Sequence, residues 1–159
     1  MPPRPRKFIL AENLNKLARW LRLLGYDAVL YKSISFDNMI RIACKDRRIL
    51  LTRSKKQSRS KKHFARHLIK EENHIEQLKE IKHLLVYDQE RIFSRCMYCN
   101  KILYEIDKDK IRDKVPDYVW QNQDRFRVCR KCGRIYWLGT HTATIKKDLD
   151  KLFNQLTED

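Results

Sequence analysis

The chain has almost no glycine, three residues in 159, and so scarce a breaker implies regular elements joined by short loops. It has no run of about 18 apolar residues to make a membrane-spanning helix, and no basic helix with a clean aromatic and leucine face to lie on a bilayer. In the opening stretch "MPPRPRKFIL" a few positive charges precede an apolar run that is too short for a secretory signal. These absences point to the cytoplasm, or an equivalent reducing compartment, with no membrane partner. No segment repeats with a period of 20 to 50 residues, so a solenoid is not expected. Acids are also short. Against 36 Lys and Arg there are 20 Asp and Glu, a formal net charge of +16, well beyond what solubility needs. A polyanion, nucleic acid in particular, is the natural partner of such a chain.

At this length one core with a small annex is expected. Strands are expected at "KFILA" (7–11), "DAVLY" (27–31) and "RILLT" (48–52). Between them, "NLNKLARWLRLLGYD" carries Leu14, Leu17, Ala18 and Leu21 at helical spacing, with Gly25 placed to end the helix. "SFDNMIRIACKDRR" reads as a second helix capped by Ser35. Strands alternating with helices imply βαβ units and a mainly parallel sheet. "HFARHLIKEENHIEQLKEIKHLLVYD" is helical in composition, with a break at "KEEN" and a possible strand at "LLVYD". From Arg95 the pattern changes to cysteine pairs, short β-like pieces and aromatics, until Ile145, Leu149, Leu152, Phe153 and Leu156 mark a last helix. The organisation expected is an α/β domain over residues 1–92 and a cysteine module with a C-terminal helix over 93–159.

Three constellations carry chemistry. Cys96, Cys99, Cys129 and Cys132 form two C-x-x-C pairs, and two such knuckles complete a tetrahedral four-thiolate set for structural zinc. Residues 100 to 128 separate the pairs, more than the roughly 15–20 of compact ribbons, so the module must hold an insertion. Disulfide-bonded or redox-active dithiols are the alternative, whereas four thiolates leave no open position for a catalytic zinc. Cys44, in the apolar phase of its helix, is expected to be a small buried hydrophobe. The second constellation is the run from Arg53 to Lys70, which includes Arg53, Lys55, Lys56, Arg59, Lys61, Lys62 and Arg66 with no acid among them. A solvated surface normally mixes both signs, so phosphate-backbone binding is favoured over a bland charged face. The third is Arg19 and Arg22, leaving the first helix together, a phosphate clamp or merely a solubilising edge.

"KLARWLRLLGYD", "RILLTR", "RCMYCN" and "FRVCRKCGRIYWLGTH", in that order, resemble the PIN-like RNase family named after the C-terminal domain of the Mut-seven exonuclease. The resemblance runs from about Phe8 to His141. It implies a PIN-like α/β nuclease fold followed by a zinc ribbon, with carboxylates at the C-terminal ends of parallel strands holding one or two divalent metals. In the family the first strand ends in an aspartate where this chain has Ala11, and the third reads "LLTRD" where this chain has Ser54. The acid that begins the middle helix survives as Asp37. Glu12 adjoins the first lost acid, but a neighbour along a strand points to the opposite face.

Metal-dependent phosphodiester cleavage needs several carboxylates to neutralise the ions and fix the attacking water. The sequence therefore favours an RNA-binding protein with a nuclease-like fold, structural zinc and an impaired centre, for which structured RNA, including ribosomal RNA, is a reasonable target. An active ribonuclease using Mg²⁺ or Mn²⁺ and other acids, such as Asp37, Asp27 or Glu76, is the second reading. A protein-interaction adaptor docking through the zinc ribbon is the third.

Overall fold

A computed structural model describes residues 4–154. Four parallel strands, β1 (Lys7–Ala11), β2 (Asp27–Tyr31), β3 (Arg48–Thr52) and β4 (Arg66–Leu68), form a sheet in the order β2-β1-β3-β4. Phe8, Ile9 and Leu10 of the central β1 are wholly buried, because a parallel strand covered on both faces needs an unbroken apolar run. Side chains alternate between faces. Phe8 and Leu10 join Leu17, Ala18 and Leu21 of α1 (Asn15–Leu23), and Ile9 joins Met39 and Ala43 of α2 (Phe36–Asp46). Ser35 caps α2 as expected, its hydroxyl accepting from the Asn38 N–H at 3.2 Å. Gly25 closes α1 at φ +85°, where a Cβ would lie 2.5 Å from the Arg91 carbonyl oxygen.

The structure departs from the sequence expectations after β3. Residues 66 to 68, read as helical, instead form β4, paired in parallel with β3 through Leu50↔Arg66, Leu51↔His67 and Thr52↔Leu68. The strand is three residues long and carries Arg66 and His67 on an edge, so no period-two apolar pattern announces it. Helix α4 (His74–Glu80) begins after the "KEEN" break, and the short helix α3 (Lys55–Ser58) precedes β4. "LLVYD" joins no sheet among the described residues. Instead, the Tyr26 hydroxyl accepts from the Val86 N–H (2.6 Å) and donates to its carbonyl (2.9 Å), satisfying both groups. Cys44 is exposed rather than buried. Ala43, one position earlier, takes the inward place beside Met39, and the next residue is turned about 100° away.

Residues 104 to 137 contain a small antiparallel sheet of β5 (Tyr104–Ile106), β6 (Phe126–Val128) and β7 (Ile135–Trp137). The insertion between the cysteine pairs holds a 3₁₀ stretch at Lys108–Lys114 and α5 (Asp117–Asn122). It has a core of its own in Ile111, Val115 and Phe126, flanked by Trp120 and Trp137. Helix α6 (Thr140–Asn154) then returns to the first core, where Leu149 is buried and Ile145, Leu152 and Phe153 pack. Phe153 stacks on Tyr87 with ring centroids 4.8 Å apart. Leu156 lies outside the described residues.

Candidate metal centre and nucleic-acid surface

The two cysteine pairs fold into turns of one shape. In each, the residue after the second cysteine, Asn100 or Gly133, adopts a left-handed backbone, φ 59° and 75°. Its N–H donates to the carbonyl of the first cysteine, at 2.9 Å for Asn100 and 2.8 Å for Gly133. The N–H of that first cysteine donates in turn to Lys101 (2.7 Å) or Arg134 (2.9 Å). These turns gather the four Sγ atoms within 4.8 Å of one another. Cys96 and Cys132 Sγ are 3.8 Å apart, far beyond a disulfide at about 2.05 Å. That separation fits the roughly 3.8 Å edge of a tetrahedron built on Zn–S bonds of about 2.3 Å. The set could hold a metal ion such as zinc. The Tyr136 hydroxyl lies 3.0 Å from Cys96 Sγ, and the Cys99 N–H donates to the same sulfur at 3.4 Å, the kind of outer contact that orients a ligand.

Burial disfavours ionised thiols here. At Cys132 the backbone N–H and the guanidinium of Arg134 overcome burial and bring the thiol down to about 6. Burial and hydrogen bonding to Cys132 push Cys99 up to about 12. A cation bound among them would deprotonate the whole set.

The second place is the carboxyl edge of the parallel sheet. β1 and β3 are neighbours, so Ala11 and Ser54 stand at adjacent strand ends. Ser54 has a structural task there. Its hydroxyl accepts from the Gln57 N–H at 3.2 Å as the N-cap of α3, while its own N–H donates to Thr52 Oγ1 at 3.0 Å. Asp37, in the first turn of α2, receives Lys62 Nζ at 2.5 Å. That hydrogen bond and the ammonium charge hold the exposed carboxyl below its usual range. Glu12 faces Lys32 at 4.0 Å and Glu72 faces Arg53 at 3.8 Å. Among the described residues, the four cysteines are the only group of three or more His, Cys, Asp or Glu whose ligand atoms come together.

The basic run does not act as one stripe. Lys55 and Lys56 ride on α3, and Arg59 and Lys61 are exposed beyond it. Arg53 and Lys62, by contrast, meet acids from elsewhere in the chain. Arg66 shapes the loop before β4, donating to the carbonyls of Ser60 (2.7 Å) and Lys62 (3.0 Å) with its guanidinium over the Phe64 ring. Phe64 itself packs against Phe36.

The family described as the Mut7-C RNAse domain matches residues 6–149. The chain belongs to the Mut7-C RNAse domain family. No curated protein and no solved structure matches it. Membership assigns an RNase-like fold, and the parallel sheet with its cysteine cluster is the form that fold takes here. No helix among the described residues is long and apolar enough to cross a membrane.

Set against the Mut7-C expectation of acids at strand ends, the residues present at the carboxyl edge do not fit a catalytic divalent metal. Alanine offers no ligand, the Ser54 oxygen is engaged as a cap, and the Asp37 carboxylate is taken by Lys62. The other acids considered lie elsewhere. Asp27 begins β2, at the opposite edge of the sheet, where Arg48 binds it through two hydrogen bonds (2.8 and 3.1 Å) and Asn100 Nδ2 donates at 2.7 Å. Glu76 pairs with Lys79 on α4. Arg22 departs from the clamp pictured with Arg19. It is 6% exposed and donates to the carbonyls of Ala28, Met97 and Tyr98 at 2.9, 2.9 and 3.1 Å, fastening α1 to the first cysteine turn. Arg19 stays outside, its guanidinium 4.9 Å from the Tyr98 ring centroid. The tie between Asn100 and Asp27 had no signal in the sequence, since 73 residues separate the partners.

Proposed function

We propose that this chain is an RNA-binding protein of RNase-like fold, with a structural zinc held by Cys96, Cys99, Cys129 and Cys132 and a nuclease centre that is impaired. The observation that carries the reading is the replacement of acid chemistry at the carboxyl edge. Ala11 has no donor atom, Ser54 caps a helix, and Asp37 is bound to Lys62. The net charge of +16 and the exposed Lys55, Lys56, Arg59 and Lys61 support attraction to a phosphate backbone. Zinc, when bound, supplies folding energy to the cysteine turns and closes their coordination shell to water. No step through a catalytic metal follows from the residues at the sheet edge.

The test is an assay with end-labelled RNA in millimolar Mg²⁺ or Mn²⁺, run beside an Ala11→Asp/Ser54→Asp variant. Binding without cleavage is expected of the protein as it stands. Restoring both acids creates a metal site that isothermal calorimetry with Mn²⁺ detects, provided Lys62 releases Asp37. Robust metal-dependent cleavage by the unaltered sequence, abolished by Asp37→Asn, would overturn the impaired-centre reading. Failure to bind any RNA would overturn the reading as a whole and favour a protein-docking role for the cysteine module.

A further inference from the structure

An open cleft of about 920 Å³ lies between the outer flank of β2 and the two cysteine turns. It is a different surface from α3 and the basic run. Lys101, Arg130 and Lys131 stand exposed on its wall. Among the described residues Asp27 is the one acid lining it, and Arg48 neutralises that carboxylate at 2.8 Å. The cleft is therefore cationic, and it selects an anion.

Its aromatics narrow the choice. Tyr98 and Tyr104 are 50% and 43% exposed, so both rings are open to solvent in the cleft. Each carries guanidinium over its ring: Arg134 and Arg19 lie 4.0 and 4.9 Å from the Tyr98 centroid, and Arg130 lies 3.7 Å from that of Tyr104. Two exposed stacks of tyrosine and guanidinium beside free lysines offer planes for bases and charges for phosphates. That is the combination single strands use, because every base has a π face and an unpaired one is free to present it. A duplex hides those faces. The cysteine turns hold the platform in position. Tyr98 sits within the first turn, its carbonyl accepts from the buried Arg22 at 3.1 Å, and Asn100 ties the same turn to β2 through the Ala28 N–H at 3.0 Å.

We infer that this cleft binds a single-stranded polynucleotide, with Tyr98 and Tyr104 stacking on bases and Lys101, Arg130 and Lys131 contacting phosphates, an assignment that rests on the RNA-binding function proposed above. RNA and DNA single strands share this chemistry.

The test measures fluorescence anisotropy of labelled 12-nucleotide single-stranded RNA, the same sequence as DNA, and the RNA as duplex, on the full zinc-containing chain. Tyr98→Ala/Tyr104→Ala is expected to weaken single-strand binding about tenfold or more, with the salt dependence unchanged and duplex binding barely affected. Tyr98→Phe/Tyr104→Phe, which keeps the rings, should bind as the unaltered chain does. Loss on RNA alone or on both single strands supports the assignment and tells which sugar is accepted. Equal loss on duplex, or no loss at all, overturns it while leaving RNA binding itself standing. No binding by the unaltered chain overturns the underlying function as well. Should the alanine variant lose zinc, ultraviolet cross-linking of the unaltered chain to 4-thiouridine RNA decides the matter. Cross-links within 98–104 or 130–134 support the cleft, and cross-links confined to 53–70 refute it.

Discussion

Asp27 and Arg48 show how one residue pair fixes which acids are unavailable for chemistry. Arg48 is nearly buried and Asp27 partly so, with the guanidinium forked across both carboxylate oxygens. Burial alone would raise the Asp27 carboxyl, but the hydrogen bonds from Arg48 and Asn100 outweigh it and hold the group below the ordinary carboxylate range. The stabilisation is thus complete above an unfolded aspartate's pKa of about 3.9 and is lost as pH falls through the lower folded value. Arg48→Met is expected to cost about 2 kcal/mol at neutral pH, because it leaves a partly buried charge with Asn100 as its remaining hydrogen-bond partner and the more distant Arg95 charge. Asp27→Asn should flatten the acid limb of stability below roughly pH 4. Urea unfolding at several pH values checks both. An Asp27→Asn protein with an unchanged acid limb would assign that limb to other carboxylates.

At the scale of elements, α3 and the turn after it carry four cations of the basic run with no ion pair among the described residues. Lys55, Lys56, Arg59 and Lys61 are exposed, whereas Arg53, Lys62 and Arg66 each have a partner within the fold. If these four cations and the three of the cysteine-turn cleft contact phosphates, the log-log salt slope on single-stranded RNA should be about −5, at about 0.7 counterion per contact. Reversing the four charges to Glu should lower affinity for all sequences alike and flatten that slope by about 3. Anisotropy titrations between low and physiological salt measure it. A slope unmoved by the reversal would assign the phosphate contacts to the cysteine-turn cleft alone.

Across the whole molecule, the cysteine module is joined to the α/β core on several sides. Arg22 holds the first turn, Met97 packs on the main core, and α6 returns from the small sheet to cover that core with Leu149 and Phe153. The insertion adds a cluster around Phe126 that owes nothing to a metal. Removing zinc with a strong chelator should therefore open the turns around 95–101 and 129–134 first and loosen α6 in part. The parallel sheet should persist. Hydrogen exchange is expected to show lost protection in those turns while amides of β1 and β3 stay protected. Uniform loss across the chain would mean that metal binding and the whole fold form one cooperative unit.

The sequence by itself determined β1, β2 and β3, whose residue ranges match the apolar runs because buried parallel strands require them. It also determined the Ser35 cap, the helix end at Gly25 and the four cysteines that come together, since these depend on local residue type and short spacing. Only the tertiary structure decided that residues 66 to 68 are a strand, because a three-residue charged edge gains its hydrogen bonds from β3 and not from its own pattern. Only it turned Arg22 inward, engaged Asp27 with Arg48, and gave Asp37 and Lys62 to each other. Those pairings join residues 6 to 76 positions apart, and a side chain's charge carries no record in sequence of the partner that folding will bring to it.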